Sequence, residues 1–299
     1  MAFYHRLVLF IGVDLAWNEA KPKETGLVVL EESGRVRAAD WRLGIAAAAD
    51  WIEEHAEDET LVFIDAPLVV TNPAGTQRTC EWHVGKCYGS AKVSANSTHI
   101  EKERLGGVTL RKELERRGFR YDDGLDGPPK EGRVASECYP YTTIVGTSEL
   151  DYNVRPRYKR RPKKTSVREF RPIRARECDE LIRRVAGLAA AAPPLDLRSH
   201  EHTRLLLDVP SPVKDATAYK HREDLLDAAL AAWTAALWWN KGLDGCQVLG
   251  DEPDVERPAA TIIAPAKPEQ LIAQRVTAAA VRERDARLAA RAAARAPSP

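Results

Sequence analysis

Two short apolar runs that each end in an aspartate constrain this chain more than any other feature. RLVLFIGVDLAW (residues 6–17) is nearly unbroken in apolar residues up to Asp14, and LVFIDAPL (residues 61–68) repeats the pattern with Asp65. Continuous runs of β-branched and aromatic residues, too short for a helix, are typical of strands that are buried on both faces. Each run therefore predicts a central strand with a carboxylate at its end.

The segments between the two runs predict how they are connected. TGLVVLEE (residues 25–32) and RVRAADWRLG (35–44) are separated by Ser33-Gly34, a hairpin signal, and IAAAADWIEEHA (45–56) has the period and propensity of a helix. A meander followed by a right-handed crossover places the first strand beside the strand after the helix. We therefore expect both aspartates at the carboxyl ends of adjacent central strands, where open α/β sheets bind ligands.

The rest of the chain has weaker patterns. A length of 299 residues can bury a large core. We assign residues 1–265 to one domain with a basic insertion at about 155–176, and residues 266–299 to an alanine- and arginine-rich tail that is helical or disordered. We predict helices over residues 107–119, 174–190 and 221–239, strands over 133–140, 245–250 and 260–265, and irregular segments over 71–105 and 193–214.

The composition excludes several classes of protein. No apolar stretch approaches the ~20 residues that span a bilayer, so we expect no membrane partner. The N-terminus lacks the features of a signal peptide, and five scattered cysteines favour reduced thiols, so we expect a cytoplasmic protein. Neither a GxxxxGK[ST] loop nor a GxGxxG fingerprint is present, which argues against a dinucleotide cofactor.

Two segments contain residue types that bind zinc. Cys80, His83 and Cys87 lie close together in the sequence, and residues 200–202 read His-Glu-His. Structural zinc sites usually have four ligands, arranged as two pairs of residues that are closely spaced in the sequence. We therefore do not favour zinc at either segment.

Further acidic residues follow the two strand-end aspartates. In HREDLLDAALAAW, Asp224 and Asp227 are three residues apart and share one face of the predicted helix, and Glu137 lies within a short predicted strand. Carboxylates that are brought together in partly buried surroundings repel each other, and a divalent cation removes that conflict. Mg²⁺ or Mn²⁺, expected as two ions, suits such oxygen ligands and leaves positions for water and phosphate.

Each of these acids also has an ordinary explanation. An aspartate at a strand end is often a turn or helix-capping residue. A pair of acids on a helix is often a solvated face, and acids also gather in structural networks. The metal hypothesis depends on the predicted topology, which brings the acids to one edge of the sheet.

A strongly basic segment is the main candidate for contact with phosphate. Residues 155–176 contain eleven Lys or Arg against one acid, with Tyr158 and Phe170 interleaved, which favours a nucleic-acid backbone with stacked bases; a solvated, flexible segment is the alternative. Arg78 lies just beyond the strand that ends in Asp65. It is expected either to contact a phosphate or to form a surface salt bridge with Glu81. The expected phosphate contacts are Arg78, Tyr158, Lys159, Arg160, Arg161, Lys163 and Lys164.

The motifs GVDLAW, FIDAPL, RTCE, ECYP, YKRRPKK and DLLDAALAAW, in this order, resemble the family called domain of unknown function 429. Its members are described as predicted nucleases of RNase H fold, and the resemblance covers roughly residues 7–265. It implies an α/β fold, RNase H-like, with a mixed five-stranded sheet (a three-strand meander plus parallel strands) flanked by helices. It also implies metal ligands at Asp14, Asp65 and Asp224 or Asp227, with Glu137 as an extra ligand or a water-orienting base.

One position departs from the pattern of that superfamily. Its nucleases commonly carry a small residue soon after the first aspartate, which leaves room for a phosphate. Here Leu15-Ala16-Trp17 follows, and the bulk of Trp17 narrows the approach.

The sequence thus predicts a divalent-metal-dependent nuclease that hydrolyses phosphodiester bonds in DNA or RNA. A non-catalytic nucleic-acid-binding or scaffold protein on the same fold is the main alternative. A sugar-kinase or ATPase relative is a third, although DLAW lacks the Gly- and Ser/Thr-bearing phosphate loop that this class needs after its first aspartate.

Overall fold

A mixed six-stranded sheet forms the centre of the protein. The computed structural model describes residues 7–17, 22–102, 105–251 and 256–293. The strand order is β3-β2-β1-β4-β6-β5, with β1–β2 and β2–β3 antiparallel and the other three pairings parallel. The strands are β1 (Val8–Asp14), β2 (Glu24–Glu31), β3 (Val36–Leu43), β4 (Glu59–Ile64), β5 (Arg120–Tyr121) and β6 (Arg133–Glu137).

Helices cover both faces of this sheet. Successive residues of β1 alternate between two apolar clusters. Phe10 packs in the cluster that contains helix α7 (Ala216–Lys241), and Leu9 and Ile11 pack in the one that contains α1 (Ile45–His55) and α3 (Gly106–Arg116). Burial on both faces explains why β1 is apolar throughout. The α-helices are α1 (Ile45–His55), α2 (Thr79–Tyr88), α3 (Gly106–Arg116), α4 (Pro140–Gly146), α5 (Val167–Ala186), α6 (Glu201–Asp208), α7 (Ala216–Lys241), α8 (Ile272–Arg275) and α9 (Ala278–Ala293).

The meander and the crossover have the predicted connectivity. Strand β4 follows α1 and pairs in parallel with β1, so the two apolar runs are adjacent central strands. The predicted count of five strands is wrong, because β5 adds a sixth at the edge of the sheet beside β6. With only two residues in a Gly/Asp/Pro-rich stretch, β5 is too short to show strand periodicity. The late strands β7 (Cys246–Leu249) and β8 (Ile262–Pro265) form a separate antiparallel pair.

Two segments predicted to be irregular contain helices. Helix α2 lies inside residues 71–105, and its buried Cys80, Val84 and Cys87 have helical spacing. Helix α6 lies inside residues 193–214. With ten and eight residues, both helices are shorter than the window of about 11–18 residues in which helical periodicity is recognised.

The basic segment is partly helical. Helix α5 begins at Val167, seven residues before the predicted start at residue 174. Ser166 and Glu169 form a capping box, in which the Ser166 side chain accepts from the Glu169 backbone N–H and the Glu169 carboxylate accepts from the Ser166 backbone N–H. This S-x-x-E signal was present in the sequence but was obscured by the surrounding charges.

The tail is helical as far as it is described. Helix α9 lies against α2, where the Arg284 guanidinium stacks over the Trp82 ring at 4.8 Å from its centroid. Within the described ranges, no helix is long and apolar enough to cross a membrane.

A glycine in the middle of β1 sets how closely α7 approaches the sheet. A Cβ atom added at Gly12 would lie 1.9 Å from the Ala228 carbonyl oxygen and 2.3 Å from the Ala232 nitrogen. Both obstacles are backbone atoms of α7, so they cannot move aside as a flexible side chain would. The close contact places the first half of α7, with its acidic residues, over the end of β1.

Replacing Gly12 by alanine should therefore separate α7 from the sheet. We expect Gly12→Ala to lower the free energy of unfolding by roughly 1–3 kcal/mol or more, measured by urea denaturation. Gly85→Ala in α2 is the matched control, since its added Cβ meets nothing within 4 Å, and it should raise stability by about 0.5–1 kcal/mol. Equal stability of Gly12→Ala and the wild type would contradict this account of the packing.

Candidate metal centre

Three aspartates from distant parts of the sequence converge at the carboxyl ends of β1 and β4. Asp14 is the last residue of β1, Asp65 follows β4 directly, and Asp227 lies on α7. One carboxylate oxygen from each lies within 4.8 Å of the other two. The Asp65 backbone N–H donates to the Val13 carbonyl at 2.9 Å, which continues the β1–β4 pairing to this point.

Helix α7 also brings Asp224 to the site, but not into the group of three. A Cβ atom at Gly26, the neighbour of Asp14 on β2, would lie 2.5 Å from the Asp224 carbonyl oxygen. The missing side chain lets this turn of α7 lie directly on β2. Asp224 accordingly sits beside Asp14 and pairs with Lys220, whereas Asp227 joins Asp14 and Asp65.

The Lys159 ammonium lies among the three carboxylates. Its Nζ is 3.7 Å from Asp14 Oδ2 and 4.0 Å from Asp65 Oδ2, and it forms an ion pair with Asp227. The sequence predicted that Lys159 would contact phosphate. In the structure it instead offsets the repulsion among the aspartates.

A second ammonium group lies on the other side of Asp14. Lys220 Nζ is 3.8 Å from Asp14 Oδ2 and 3.1 Å from Glu223 Oε1, and it pairs with Asp224. Lys220 and Glu223 were not among the residues singled out in the sequence. Their spacing from Asp224 and Asp227 on one helix was the available signal.

Burial and these lysines shift the pKa values of the carboxyls in different directions. Burial raises the pKa of Asp65 to about 7, with attraction to Lys159 opposing it. Burial and repulsion by Asp14 raise the pKa of Asp224 to about 9. Burial also acts on Asp14, but Lys159 and Lys220 together hold the pKa of Asp14 below its usual value. The site therefore stores unfavourable electrostatic energy that a cation would relieve.

Tyr158 is part of the core and holds Asp227 in place. Its side chain is fully buried, and its hydroxyl donates to Asp227 Oδ1 at 2.7 Å. The next residue, Lys159, pairs with Oδ2 of the same carboxylate. The expectation that Tyr158 and Phe170 stack on bases is wrong, because both rings are buried.

Arg78 and Glu137 form a buried ion pair behind Asp65. The Arg78 Nη1–H and Nη2–H donate to the two oxygens of Glu137 at 2.8 and 2.7 Å, and its Nε–H donates to Glu81 at 2.9 Å. Glu137 also accepts the Leu68 backbone N–H at 3.0 Å. The expected phosphate contact of Arg78 and ligand or base role of Glu137 are not supported, since both side chains are occupied in bracing the loop after Asp65.

Trp17 also braces this loop. Its indole N–H donates to the Asp65 carbonyl oxygen at 3.0 Å. The ring is half-buried, so the bulk noted in the sequence is partly taken up by packing.

A pocket of about 300 Å³ opens beside the carboxylates. Asp65, Asp227 and Lys159 contribute to its lining, together with Arg155 and Arg160 from the basic segment. The other predicted phosphate contacts, Arg161, Lys163 and Lys164, are exposed and do not line it.

The zinc alternatives gain no support. His83 Nδ1 accepts the Gly250 backbone N–H at 3.0 Å, and the cysteines are buried and unpaired. Among the described residues, no other group of three Asp, Glu, His or Cys side chains comes as close together as the three aspartates.

The raised pKa of Asp65 predicts a pH dependence of stability. Because its pKa moves from 3.8 to about 7 on folding, this carboxyl favours the native state below its unfolded pKa, and that contribution is lost as the pH rises through the folded value. Asp65→Asn removes this titration, so in EDTA its free energy of unfolding should rise relative to wild type between about pH 5 and about pH 8. Asp58→Asn, an exposed substitution away from the site, supplies the background, and a constant difference for Asp65→Asn across this range would contradict the prediction.

Comparison with known proteins identifies a family but no activity. The model of the family described as "Protein of unknown function (DUF429)" matches residues 12–255, which include all three aspartates. No curated protein and no solved structure matches the chain. Since the match covers most of its length, the chain belongs to the DUF429 family.

Proposed function

We propose that this protein is a divalent-metal-dependent nuclease that hydrolyses phosphodiester bonds on an RNase H-like fold. The observation that carries the proposal is the convergence of Asp14, Asp65 and Asp227 within 4.8 Å at the carboxyl ends of two central strands. A three-strand meander followed by parallel strands, with carboxylates on the first strand, the next parallel strand and a late helix, is the arrangement that the superfamily resemblance implies.

The donor set fits Mg²⁺ or Mn²⁺. Asp14 Oδ2 is buried and accepts no hydrogen bond from the described residues, although two lysine ammonium groups lie within 4 Å of it, and Asp227 Oδ2 has the Lys159 ammonium as its partner. Hard carboxylate oxygens are the preferred ligands of these ions.

Asp14, Asp65 and Asp227 would hold one ion, and Asp224 beside Asp14 would contribute to a second. Bound there, a divalent cation would neutralise the carboxylates, polarise a phosphoryl oxygen and lower the pKa of a water molecule. In the hydrolysis, water adds to phosphorus while the P–O bond to one sugar breaks. One proton of the water passes to the departing oxygen, which leaves a phosphate monoester and a hydroxyl end.

The protein's own side chains hold the carboxylates in place and attract the phosphate backbone of the substrate. Tyr158 fixes the orientation of Asp227, and the Arg78–Glu137 pair fixes the loop that follows Asp65. Arg155 and Arg160 border the pocket beside the carboxylates and attract the phosphate backbone.

A cleavage assay tests the function. Labelled single-stranded, duplex and branched DNA, and RNA, are incubated with and without Mn²⁺, using wild type and an identically purified Asp14→Asn variant. We expect metal-dependent cleavage that falls roughly 10³-fold in the variant, because several kcal/mol of transition-state stabilisation is removed. Asp58→Asn, remote from the site, should cleave like wild type.

The other outcomes identify the alternatives. Binding without cleavage at every Mn²⁺ concentration would overturn the nuclease and favour a scaffold protein. ATP hydrolysis in place of strand cleavage would favour the sugar-kinase or ATPase class.

Lys159 should compete with the metal. Its ammonium lies among the three carboxylates, so a divalent cation must displace it or bind beside a like charge. We expect Lys159→Gln to bind Mn²⁺ about tenfold or more tightly by isothermal titration calorimetry, and to be less stable than wild type in EDTA. Lys112→Gln, at an exposed lysine of α3, is the control, and unchanged Mn²⁺ affinity in Lys159→Gln would refute the competition.

A further inference from the structure

The pocket beside the carboxylates combines features that a nucleotide would recognise. It has a volume of about 300 Å³ and includes Asp65 and Asp227 in its lining. Two tyrosines, Tyr139 and Tyr141, also line it, with their rings edge-to-face and their centroids 5.8 Å apart. Neither tyrosine was a candidate in the sequence analysis, which expected Tyr158 and Phe170 to stack on the bases.

The cationic side chains of the pocket are available to an anion. Among the residues that the structure describes, no carboxylate lies within 4.0 Å of the guanidinium groups of Arg155 and Arg160. The Arg155 guanidinium lies over the Tyr141 ring, 5.2 Å from its centroid. Arg78 differs from both, because buried carboxylates occupy its guanidinium.

The hydroxyl of Tyr141 has no hydrogen-bond acceptor among the described residues. Tyr141 is only 6 % exposed, and the polar group beside its hydroxyl is the Arg155 guanidinium, which can only donate. A buried hydroxyl normally has its hydrogen bonds satisfied. A ligand with phosphate or sugar oxygens would supply the acceptor.

The size of the pocket favours a single-stranded over a double-stranded nucleic acid. A volume of about 300 Å³ is at the lower end for small-molecule sites and suits one nucleotide. Tyr139 is half-buried, so part of its ring remains accessible to a base. A paired and stacked base in a duplex cannot enter such a pocket without the cost of unpairing, whereas a single strand presents unstacked bases.

We infer that the pocket binds one unstacked nucleotide next to the phosphodiester that is cut, so that the protein acts on single strands rather than on continuous duplex. The base packs against Tyr139, and the adjoining phosphate is held by Arg155 and Arg160. This inference rests on the proposed nuclease function, because it places the scissile bond at the carboxylates.

Binding in EDTA tests the pocket separately from catalysis. The probe is a fluorescein-labelled single strand of about 12 nucleotides, compared by fluorescence anisotropy with a blunt duplex of the same sequence. We expect the single strand to bind at least tenfold more tightly. Tyr139→Ala should weaken its binding about tenfold or more and leave duplex binding unchanged.

Two further variants keep the test independent of folding defects. Tyr139→Phe keeps the ring and loses only a 3.3 Å hydrogen bond to the Ser94 carbonyl, so it should bind like wild type. Arg160 is exposed, and Arg160→Gln should weaken single-strand binding and reduce the slope of log affinity against log salt by about one.

The outcomes separate this inference from the proposed function. Equal affinity for duplex and single strand, or unaltered single-strand binding in Tyr139→Ala and Arg160→Gln, would overturn the nucleotide pocket even if Mn²⁺-dependent cleavage is observed. Selective single-strand binding that depends on Tyr139 would support the pocket even if no strand is cut, and the nuclease proposal would then be the part that is wrong.

Discussion

The repulsion among three aspartates, two of them buried and the third half-buried, is the constraint on which the rest of this structure depends. Asp14, Asp65 and Asp227 are brought within 4.8 Å by the two central strands and the longest helix of the described residues. The fold tolerates this arrangement because the Lys159 ammonium lies among them. Carboxylates with perturbed pKa values gather at functional sites, and open α/β sheets bind their ligands at this edge.

Several neighbouring interactions keep the cluster rigid. Tyr158 binds one oxygen of Asp227 and leaves the other to Lys159, so adjacent residues of one segment control both oxygens. Behind Asp65, the Arg78–Glu137 pair fixes the loop that follows β4. Buried, fully hydrogen-bonded ion pairs of this type specify geometry more than they add stability. The geometry of the cluster therefore depends on residues that lie outside the group of three aspartates.

The basic segment has two parts with different roles. Tyr158 and Lys159 belong to the interior of the site, whereas Arg160, Arg161, Lys163 and Lys164 are exposed. Its composition alone suggested a uniform surface for a nucleic-acid backbone. Burial separates the residues that shape the carboxylates from those that are free to attract an anion.

The sequence by itself determined the meander, the crossover and the presence of carboxylates at two strand ends, because hydrophobic runs and turn residues are local signals. It could not show that Asp227 rather than Asp224 completes the group of three, that Lys159 lies among the carboxylates, or that Glu137 pairs with Arg78. These outcomes depend on the close approach of α7 to β1 and β2 at Gly12 and Gly26. They also depend on the loop that brings Tyr158 and Lys159 to the carboxylates. Only the tertiary structure decided these pairings. A buried charged side chain must be paired, and its partner is the group that folding places next to it, whatever their separation in the sequence.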